Sequence, residues 1–253
     1  MTISAKGISV LESAASVCVL TGAGISAESG VPTFRGKEGL WSKFKPEELA
    51  NFRAFINNPD LVWEWYTYRK NVMKDVKPNP AHLALAEMER IVEDFTLVTQ
   101  NVDNLHQRGG SRNVYELHGN IERSYCIDCR RPEQNVMLDE QGKAPRCKSC
   151  GGLIRPDVVW FGELLPYETF QMGAAAAARC DLFLLIGTSG IVYPAASLPL
   201  VARDHGAYVL EVNQEYTDLS SRVSETIVGK AGVIVPEMLA SMKNTRKRGT
   251  NSE

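Results

Sequence analysis

Six short runs of β-branched and other apolar residues, each ending in turn or polar residues, set the strongest limit on what this chain can fold into. They are Val17–Leu20, Phe95–Thr99, Val114–Leu117, Leu182–Ile186, Ala207–Val212 and Thr226–Val228. Continuous apolar runs of this length, bounded by turn signals, read as strands buried on both faces. Patterns of helical period lie between most of them. In Ala81–Ile91 the residues Leu83, Leu85, Ala86 and Met88 alternate with Glu87, Glu89 and Arg90, and Phe170–Ala178 is rich in alanine. Strands alternating with helices predict an α/β protein with a doubly wound, mostly parallel sheet covered on both faces. A length of 253 residues suits one large domain, or one domain with an inserted module.

Two segments interrupt the alternation. Gly36 to about Pro80 carries three of the four tryptophans in helix-like pieces, Pro46–Leu49 and Leu61–Met73, and ends at the breaker Lys77-Pro78-Asn79-Pro80. It reads as an inserted helical module, 36–80. Arg123 to about Pro156 holds four cysteines and polar filler such as Leu138-Asp139-Glu140-Gln141-Gly142-Lys143, too little apolar material for a core of its own. Its pairs Cys126-x-x-Cys129 and Cys147-x-x-Cys150 have the spacing of two zinc knuckles. Four thiolates close a tetrahedron and leave no position for water or substrate, so one Zn²⁺ would hold the inserted module 123–156 together without doing chemistry. The sheet part is then 1–35, 81–122 and 157–242. The basic stretch Lys243–Arg248 opens a tail, 243–253, that reads as a frayed, solvated end. Cys18 and Cys180 sit at the apolar runs and read as small buried hydrophobes.

Charge removes several classes of function. Twenty-eight Lys plus Arg against thirty Asp plus Glu give a net charge of −2, with 44 % hydrophobic and 23 % charged residues. No basic field exists to hold nucleic acid or an anionic membrane. The long uncharged stretch between Asp181 and Arg203 contains Gly187, Gly190, Pro194 and Pro199, which fits a buried strand, a glycine loop and a short helix better than a membrane span. The N-terminus has no signal-peptide pattern, so the cytoplasm is the expected compartment. There, six cysteines are not expected to form a disulfide framework.

Chemistry-bearing residues follow the strands. Val17–Thr21 runs into Gly22-Ala23-Gly24-Ile25-Ser26-Ala27, a GxGxxA turn of the Rossmann type. Glycine permits close backbone approach there, and the following helix N-terminus offers free N–H groups to a pyrophosphate. The ribose-binding acid expected some 20 residues on is not at the end of a second strand, because Glu38 falls in the helical insertion. That disfavours an ordinary hydride-transferring enzyme. Thr99-Gln100-Asn101-Val102-Asp103, Leu117-His118-Gly119, Gly187-Thr188-Ser189 and Asn213-Gln214-Glu215 also lie at strand ends, the ligand-binding edge of an open parallel sheet. His118 is suited to proton transfer near neutral pH or to a structural role. His82 opens a helix, His106 follows a short turn and His205 lies in a loop.

Taken together, Gly22 to Arg35 (GAGISAESGVPTFR), Thr99 to His106 (TQNVDNLH), Leu117-His118-Gly119, the paired cysteines, Val158 to Glu163 (VVWFGE) and Gly187-Thr188-Ser189 resemble the sirtuin family, in order, from about Ser16 to Leu239. Asn120 stands where that family usually has Ser, and Gly190 where a bulkier residue or Ser is usual. The resemblance implies an enzyme that consumes NAD to remove acyl groups from lysine side chains of proteins or peptides, on a Rossmann-like domain with a zinc module and a helical module. It implies a nucleotide-contacting set of Gly22, Ala23, Gly24, Ile25, Ala27, Thr33, Phe34, Arg35, Trp41, Gln100, Asn101, Asp103, His118, Gly187, Thr188, Ser189, Asn213, Gln214, Glu215 and Ala231. Asp103 and the backbone near Ile25 would hold the nicotinamide carboxamide, Asn101 would orient the ribose, and Phe34 would shield its C1′ from water. The acyl-lysine carbonyl oxygen would attack C1′ and release nicotinamide. His118 would then act as general base on the ribose hydroxyls, ending in deacylated lysine and 2′-O-acyl-ADP-ribose.

Val159 to Phe161 resembles the strand that pairs with substrate peptide by backbone augmentation. Tyr66 and Arg69, three apart on one helix face, resemble the pair that binds the carboxylate of succinyl- or malonyl-lysine in one branch of the family, with small Ala50 leaving room. An arginine merely snorkelling from an aromatic helix is the bland alternative. A plain deacetylase, a protein mono-ADP-ribosyltransferase and an NAD-sensing module without turnover are the competing functions.

Overall fold

The computed structural model describes residues 3–33 and 45–250. All six apolar runs form strands of one parallel sheet: β1 (Ser16–Thr21), β2 (Asp94–Thr99), β3 (Val114–Glu116), β7 (Leu182–Ile186), β8 (Tyr208–Asn213) and β9 (Glu225–Val228), in the order β3-β2-β1-β7-β8-β9. β1 is central and pairs with β2 from Ser16↔Asp94 to Thr21↔Thr99, and with β7 from Val17↔Leu182 to Thr21↔Ile186. Connections run outward from β1 to one side and from β7 to the other, so the strand order reverses between these two neighbours. Such a switch leaves a crevice at the strand carboxyl ends.

The sheet is buried on both faces, which explains why its strands lack polar alternation. Val17 and Val19 join Leu97, Leu184, Leu210 and Val212 under helices α1 (Ala5–Ser13), α6 (Pro80–Ile91) and α10 (Ala231–Thr250). Cys18 and Leu20 join Val98, Phe183, Leu185 and Val209 under α8 (Tyr167–Arg179) and α9 (Leu198–Asp204). Both non-cluster cysteines, Cys18 and Cys180, are buried there, as expected. The stretch from Asp181 to Arg203 forms β7, a glycine loop, a 3₁₀ turn and most of α9. Among the described residues no helix is long and apolar enough to cross a membrane.

The helical module contains α3 (Pro46–Leu49), α4 (Phe52–Asn57) and α5 (Pro59–Asp75). Asn58 caps α5 by accepting the Leu61 N–H at 3.2 Å, and Pro59 stands at its first turn, where a missing N–H costs nothing. Asn79 and His82 form a reciprocal capping box that starts α6 directly after the proline breaker. Phe55, Val62, Trp63 and Tyr66 of this module share one apolar cluster with Ile121, Cys126, Ile154 and Trp160. The Trp63 indole N–H donates to the Ile154 carbonyl at 2.7 Å. The two inserted modules therefore have a common core.

Two expectations need correction, and one element is new. The cysteine segment is flanked by an antiparallel sheet, β4 (Gly119–Cys126), β5 (Pro132–Gln134) and β6 (Ile154–Val158), ordered β5-β4-β6, whose pairing begins at Gly119↔Val158. The insertion thus starts and ends outside 123–156, because its two outer strands carry the chain out of and back to the parallel sheet. α1 lies before β1 and has no counterpart in the sequence reading; Ser4 caps it by accepting the Gly7 N–H at 3.0 Å. Finally, Lys243 does not open a frayed tail. α10 continues through Thr250, Met238 and Met242 are fully buried, and the Lys243 ammonium meets Glu87 of α6 at 3.0 Å.

Trp63 gives a direct test of the shared core. Trp63→Phe keeps the aromatic filling but strands the buried Ile154 carbonyl, which costs about 1–3 kcal/mol. For a chain of this size that is a fall in Tm of roughly 2–4 °C per kcal/mol, measured by circular dichroism. An unchanged Tm would show that the indole hydrogen bond does not join the modules.

Candidate functional site

Three glycines bring the backbones at the sheet switch point into contact. After β1, the Gly22 N–H donates to the Ile186 carbonyl at 3.0 Å and the Gly24 N–H to the Gly187 carbonyl at 2.7 Å. A Cβ on Gly24 would lie 2.7 Å from the Gly187 Cα, and one on Gly187 would lie 2.3 Å from the Ile25 nitrogen; Gly187 also has φ of +62°. Only glycine fits. Behind Gly22 the short helix α2 (Ala23–Ala27) begins, with Ile25 and Ser26 buried.

The loops after β2, β7 and β8 are tied to this turn. The Asn101 side-chain amide donates to the Gly22 carbonyl at 3.0 Å and to the Ser26 hydroxyl at 3.2 Å. Gln100 donates to the Thr188 hydroxyl at 2.9 Å, and Asn213 donates to the Thr188 carbonyl at 2.8 Å. Asp103 is buried; it accepts the Ser26 hydroxyl at 2.7 Å and the Leu105 N–H at 3.0 Å. Burial pushes its carboxyl above the usual range, against the hydrogen bonds from Leu105 and Ser26 and the nearby charge of Arg69.

His118 faces the same edge. Its Nδ1 lies 2.9 Å from the Gln100 carbonyl. A carbonyl can only accept, so Nδ1 carries the proton and Nε2 the lone pair. Burial holds this imidazole below its ordinary range, while the bond to Gln100 works in the other direction. The His118 carbonyl in turn accepts the Val159 N–H at 3.0 Å, joining the imidazole to the chain beyond β6.

Sequence reasoning missed the polar layer beneath. Ser26 joins Asn101 to Asp103, and His82 Nε2 lies 3.4 Å from the same hydroxyl. His106 lies fully buried in α7 (Leu105–Arg108), 2.8 Å from the Thr21 hydroxyl, which donates to Thr99 at 2.8 Å. Burial lowers the His82 pKa to about 4 and the His106 pKa well below its ordinary value. Both rings are neutral near pH 7. The sequence signal available was the strand-end position of Thr21 and Thr99, which fixes them beside the glycine turn.

The remaining candidate residues are placed as follows. Ala231 is buried at the start of α10, next to Gly232, whose N–H donates to Glu28 at 2.8 Å. Thr33, Ala27 and Ser189 are half-buried, and Gln214 and Glu215 are exposed beyond β8. Phe34, Arg35 and Trp41 lie outside the described residues. Asn120 turns away from the glycine turn, donating to Glu116 at 2.6 Å and to Asn104 at 3.2 Å. Gly190 packs on Leu219, whose side chain a Cβ there would meet at 2.8 Å.

Tyr66 and Arg69 share a buried face of α5. The Tyr66 oxygen accepts the Trp160 indole N–H at 2.8 Å, so the phenolic hydrogen remains a donor, and burial raises the phenol above its usual pKa. The Arg69 guanidinium lies over Trp65 and Tyr66, 5.8 and 6.0 Å from their ring centres. Buried Ala50 belongs to the same apolar cluster, and its carbonyl accepts the Phe161 N–H at 2.9 Å. Val159 to Phe161, expected as the peptide-pairing strand, form no strand. β6 ends at Val158, and the N–H groups of Val159, Trp160 and Phe161 go to His118, Glu163 and Ala50. The Trp160 carbonyl accepts the Glu163 N–H at 3.0 Å.

The metal module fits its ion. The Sγ atoms of Cys126, Cys129, Cys147 and Cys150 all lie within 4.8 Å of one another, with Cys126–Cys150 at 3.4 Å and Cys129–Cys147 at 3.7 Å. Four Zn–S bonds of about 2.3 Å in a tetrahedron require edges of about 3.8 Å. Backbone N–H groups of Ser149 and Cys150 aim at the Cys147 sulfur and lower its pKa, while at Cys150 the Gly152 N–H works downward and the sulfurs of Cys126 and Cys129 outweigh it and raise the thiol, so the crowded sulfurs share charge unevenly. With four protein sulfurs the coordination is closed.

A doubly wound sheet with a glycine turn at its switch point, an amide, a carboxylate and an imidazole at the same edge, and a closed four-sulfur module define a zinc-stapled α/β protein with a dinucleotide-type crevice. Residues 22–194 match the Sir2 family, and the chain belongs to that family. It is 52 % identical to a protein of Aquifex aeolicus (strain VF5) named NAD-dependent protein deacylase, over 81 % of this chain and 85 % of that one. A mutant Sir2 homologue in complex with ADP-ribose superposes with a TM-score of 0.93 at 40 % identity, covering 97 % of this chain and 98 % of the other. A Sir2–p53 peptide–NAD⁺ structure superposes at 0.83 with 31 % identity, covering 99 % and 100 %.

The cysteine geometry fixes an expected outcome for metal removal. One zinc per chain should be found by elemental analysis, and chelation or Cys147→Ser should lower Tm steeply, because binding energy in such a module is folding energy. Since Trp63 bonds to Ile154, tryptophan emission should shift to the red in the same transition. Loss of zinc without any change in melting would remove the structural role.

Proposed function

We propose that this protein is an NAD-dependent protein-lysine deacylase that consumes NAD, releases nicotinamide and acts on acidic acyl groups, succinyl and malonyl, as well as acetyl. The observation that carries the deacylase reading is the imidazole of His118, protonated at Nδ1 by its bond to the Gln100 carbonyl and presenting Nε2 at the strand edge that holds Asn101 and the glycine turn. The names of the relatives support the same reading. The chemistry asks for orientation and exclusion of water at a ribose C1′ rather than for a protein nucleophile.

In this reading Gly22, Ala23 and Gly24 bring backbone N–H groups to the pyrophosphate, and Gln100, Thr188, Ser189 and Asn213 line the adenosine side of the crevice. Asn101 orients the ribose, and Asp103, held by Ser26, accepts from the nicotinamide carboxamide. His118 Nε2 takes the proton from a ribose hydroxyl after the acyl oxygen has displaced nicotinamide. Four reduced thiolates at the zinc suit a reducing compartment, which supports the cytoplasm as the place of work.

The acyl preference rests on α5. A carboxylate entering an apolar pocket gives up water, and an unpaired charge there is costly. Arg69 supplies a charge-assisted partner and the Tyr66 hydroxyl a further donor, while the Ala50 methyl leaves space.

Two outcomes test the proposal. His118→Ala should retain NAD binding and lose about 10²–10⁴-fold in turnover. Because burial depresses the His118 pKa, the base form persists as pH falls below neutrality, and the acid limb of kcat/KM for the native protein should have its midpoint below pH 6.5. Near-normal turnover by the variant, or a limb centred above pH 6.5, would remove His118 from the role of base. ADP-ribose found covalently on an acceptor protein would favour a transferase instead.

For Arg69→Met, removing one partner of a buried charge pair costs ~2–5 kcal/mol, so desuccinylation should fall roughly 30-fold to several thousand-fold in kcat/KM. Deacetylation of the same peptide should hold or rise. Parallel loss of both rates would leave a plain deacetylase.

A further inference from the structure

Arg155 of β6 is a buried guanidinium enclosed by aromatic rings, 3.6 Å from the centre of Trp160, 5.5 Å from Tyr125 and 5.9 Å from Phe52. It meets both Glu163 oxygens, Nη1 at 2.5 Å and Nη2 at 2.9 Å. Burial works to raise the Glu163 carboxyl, and the bonds from Arg155 and the Trp160 N–H outweigh it, so the pair is ionised near neutral pH. Desolvation offsets much of what a buried ion pair gains, so stability alone is a weak reason for one.

The contacts of this pair fall on the two peptide units around Val159. Arg155 Nη2 donates to the Val158 carbonyl at 2.8 Å, and the N–H of that unit goes to His118. Glu163 Oε2 accepts the Trp160 N–H at 2.8 Å. In a planar trans unit the carbonyl points opposite to the N–H, so holding the Trp160 N–H fixes where the Val159 carbonyl points. That carbonyl has no hydrogen-bond partner among the described residues. β6 is an edge strand of its sheet, so the approach beside it is open to a further extended chain.

We propose that the Arg155–Glu163 pair is a positioning device that aims the Val159 carbonyl at an N–H of the acyl-lysine peptide; the inference rests on the deacylase reading. It assigns to Glu163 a share in peptide recognition without contact with the reacting atoms. The Trp160 ring stacked on Arg155 donates to Tyr66, so the aimed carbonyl and the acyl-recognising face of α5 are parts of one buried assembly.

The test compares Glu163→Ala and Glu163→Gln by anisotropy of a labelled succinyl-lysine peptide, with KM for NAD and Tm measured alongside. Glu163→Ala should weaken peptide binding about 10-fold, the loss of one aimed hydrogen bond, with KM for NAD changed less than twofold. Glu163→Gln keeps an acceptor for the Trp160 N–H and should recover part of the loss; it carries the comparison alone if the alanine variant does not fold. Peptides N-methylated at one amide at a time form the second arm. One methylation should weaken binding to the native protein and cost much less in the variant, because both changes remove the same contact. Equal losses for peptide and NAD, or methylation penalties that add in full to the variant's loss, overturn the proposal. A native protein that binds peptide with the expected pattern but releases no nicotinamide supports the positioning role and defeats the deacylase reading alone.

Discussion

The contact of Gly22 and Gly24 with Gly187 governs the arrangement of everything above the sheet. It joins the turn after β1 to the turn after β7 with no side chain between them, at the place where strand order reverses. A methyl group on Gly187 would reach 2.3 Å from the Ile25 nitrogen, so the two crests would have to separate. Asn101, Gln100 and Thr188 all bond to groups of these two turns or to one another. Separation would move the amides and the imidazole partner together, because the Gln100 side chain is tied to Thr188 while its carbonyl fixes the His118 tautomer.

Rigidity at that edge comes from a polar layer sealed inside the apolar core. Thr21, Thr99, Ser26, Asp103, His82 and His106 are all buried. Unpaired, such groups would destabilise the fold, yet hydrogen-bonded in a low-dielectric interior they reinforce one another and admit few alternatives. The neutral histidines belong to this logic. Protonating His82 or His106 would bury a cation beside a second imidazole, since the two ring centres lie 4.9 Å apart, and burial accordingly keeps both uncharged.

Sequence legibility followed physical range. The six strands of the parallel sheet were readable because burial on both faces leaves an uninterrupted apolar run, and the metal cluster because four thiolates need a fixed local spacing. The glycine turn was readable at β1, but its partner Gly187 is 165 residues away from Gly22 in the chain, so the contact between them was not. β4 and β5 carry charged residues such as Glu122, Arg123 and Glu133, and β4 gives Ile121 and Cys126 to the shared apolar cluster without a regular alternation, so they lack the pattern that identifies strands. Lys243 was misread because its sign suited a solvated end; its anchor, Glu87, lies on a helix 156 residues earlier. Arg155 and Glu163 stood in or beside a quoted motif, yet their geometry depends on Trp160 and Phe52 closing over the guanidinium, which no local spacing reveals.

The two buried arginines of the inserted modules are then best understood as different answers to the same problem. Arg155 meets a full carboxylate of this chain: both Glu163 oxygens lie on its guanidinium, and the remaining reach of that pair goes to main-chain groups. Arg69 is also buried and lies over the faces of Trp65 and Tyr66, and the carboxylate whose charge acts on it is Asp103, itself hydrogen-bonded to Ser26 and Leu105. A guanidinium held over aromatic faces loses less on giving up water than an ammonium would, because its charge is spread and weakly hydrated. Its donors lie in the plane of the guanidinium, the geometry that matches a carboxylate. The Tyr66 oxygen accepts from Trp160, which leaves its own hydrogen as a donor. Under the proposed function, α5 thus supplies the charge and the donor that an acidic acyl group needs, whereas the charge of Arg155 is met by Glu163. Acyl selectivity then resides in the helical insertion, while the sheet edge provides the chemistry common to every acyl group.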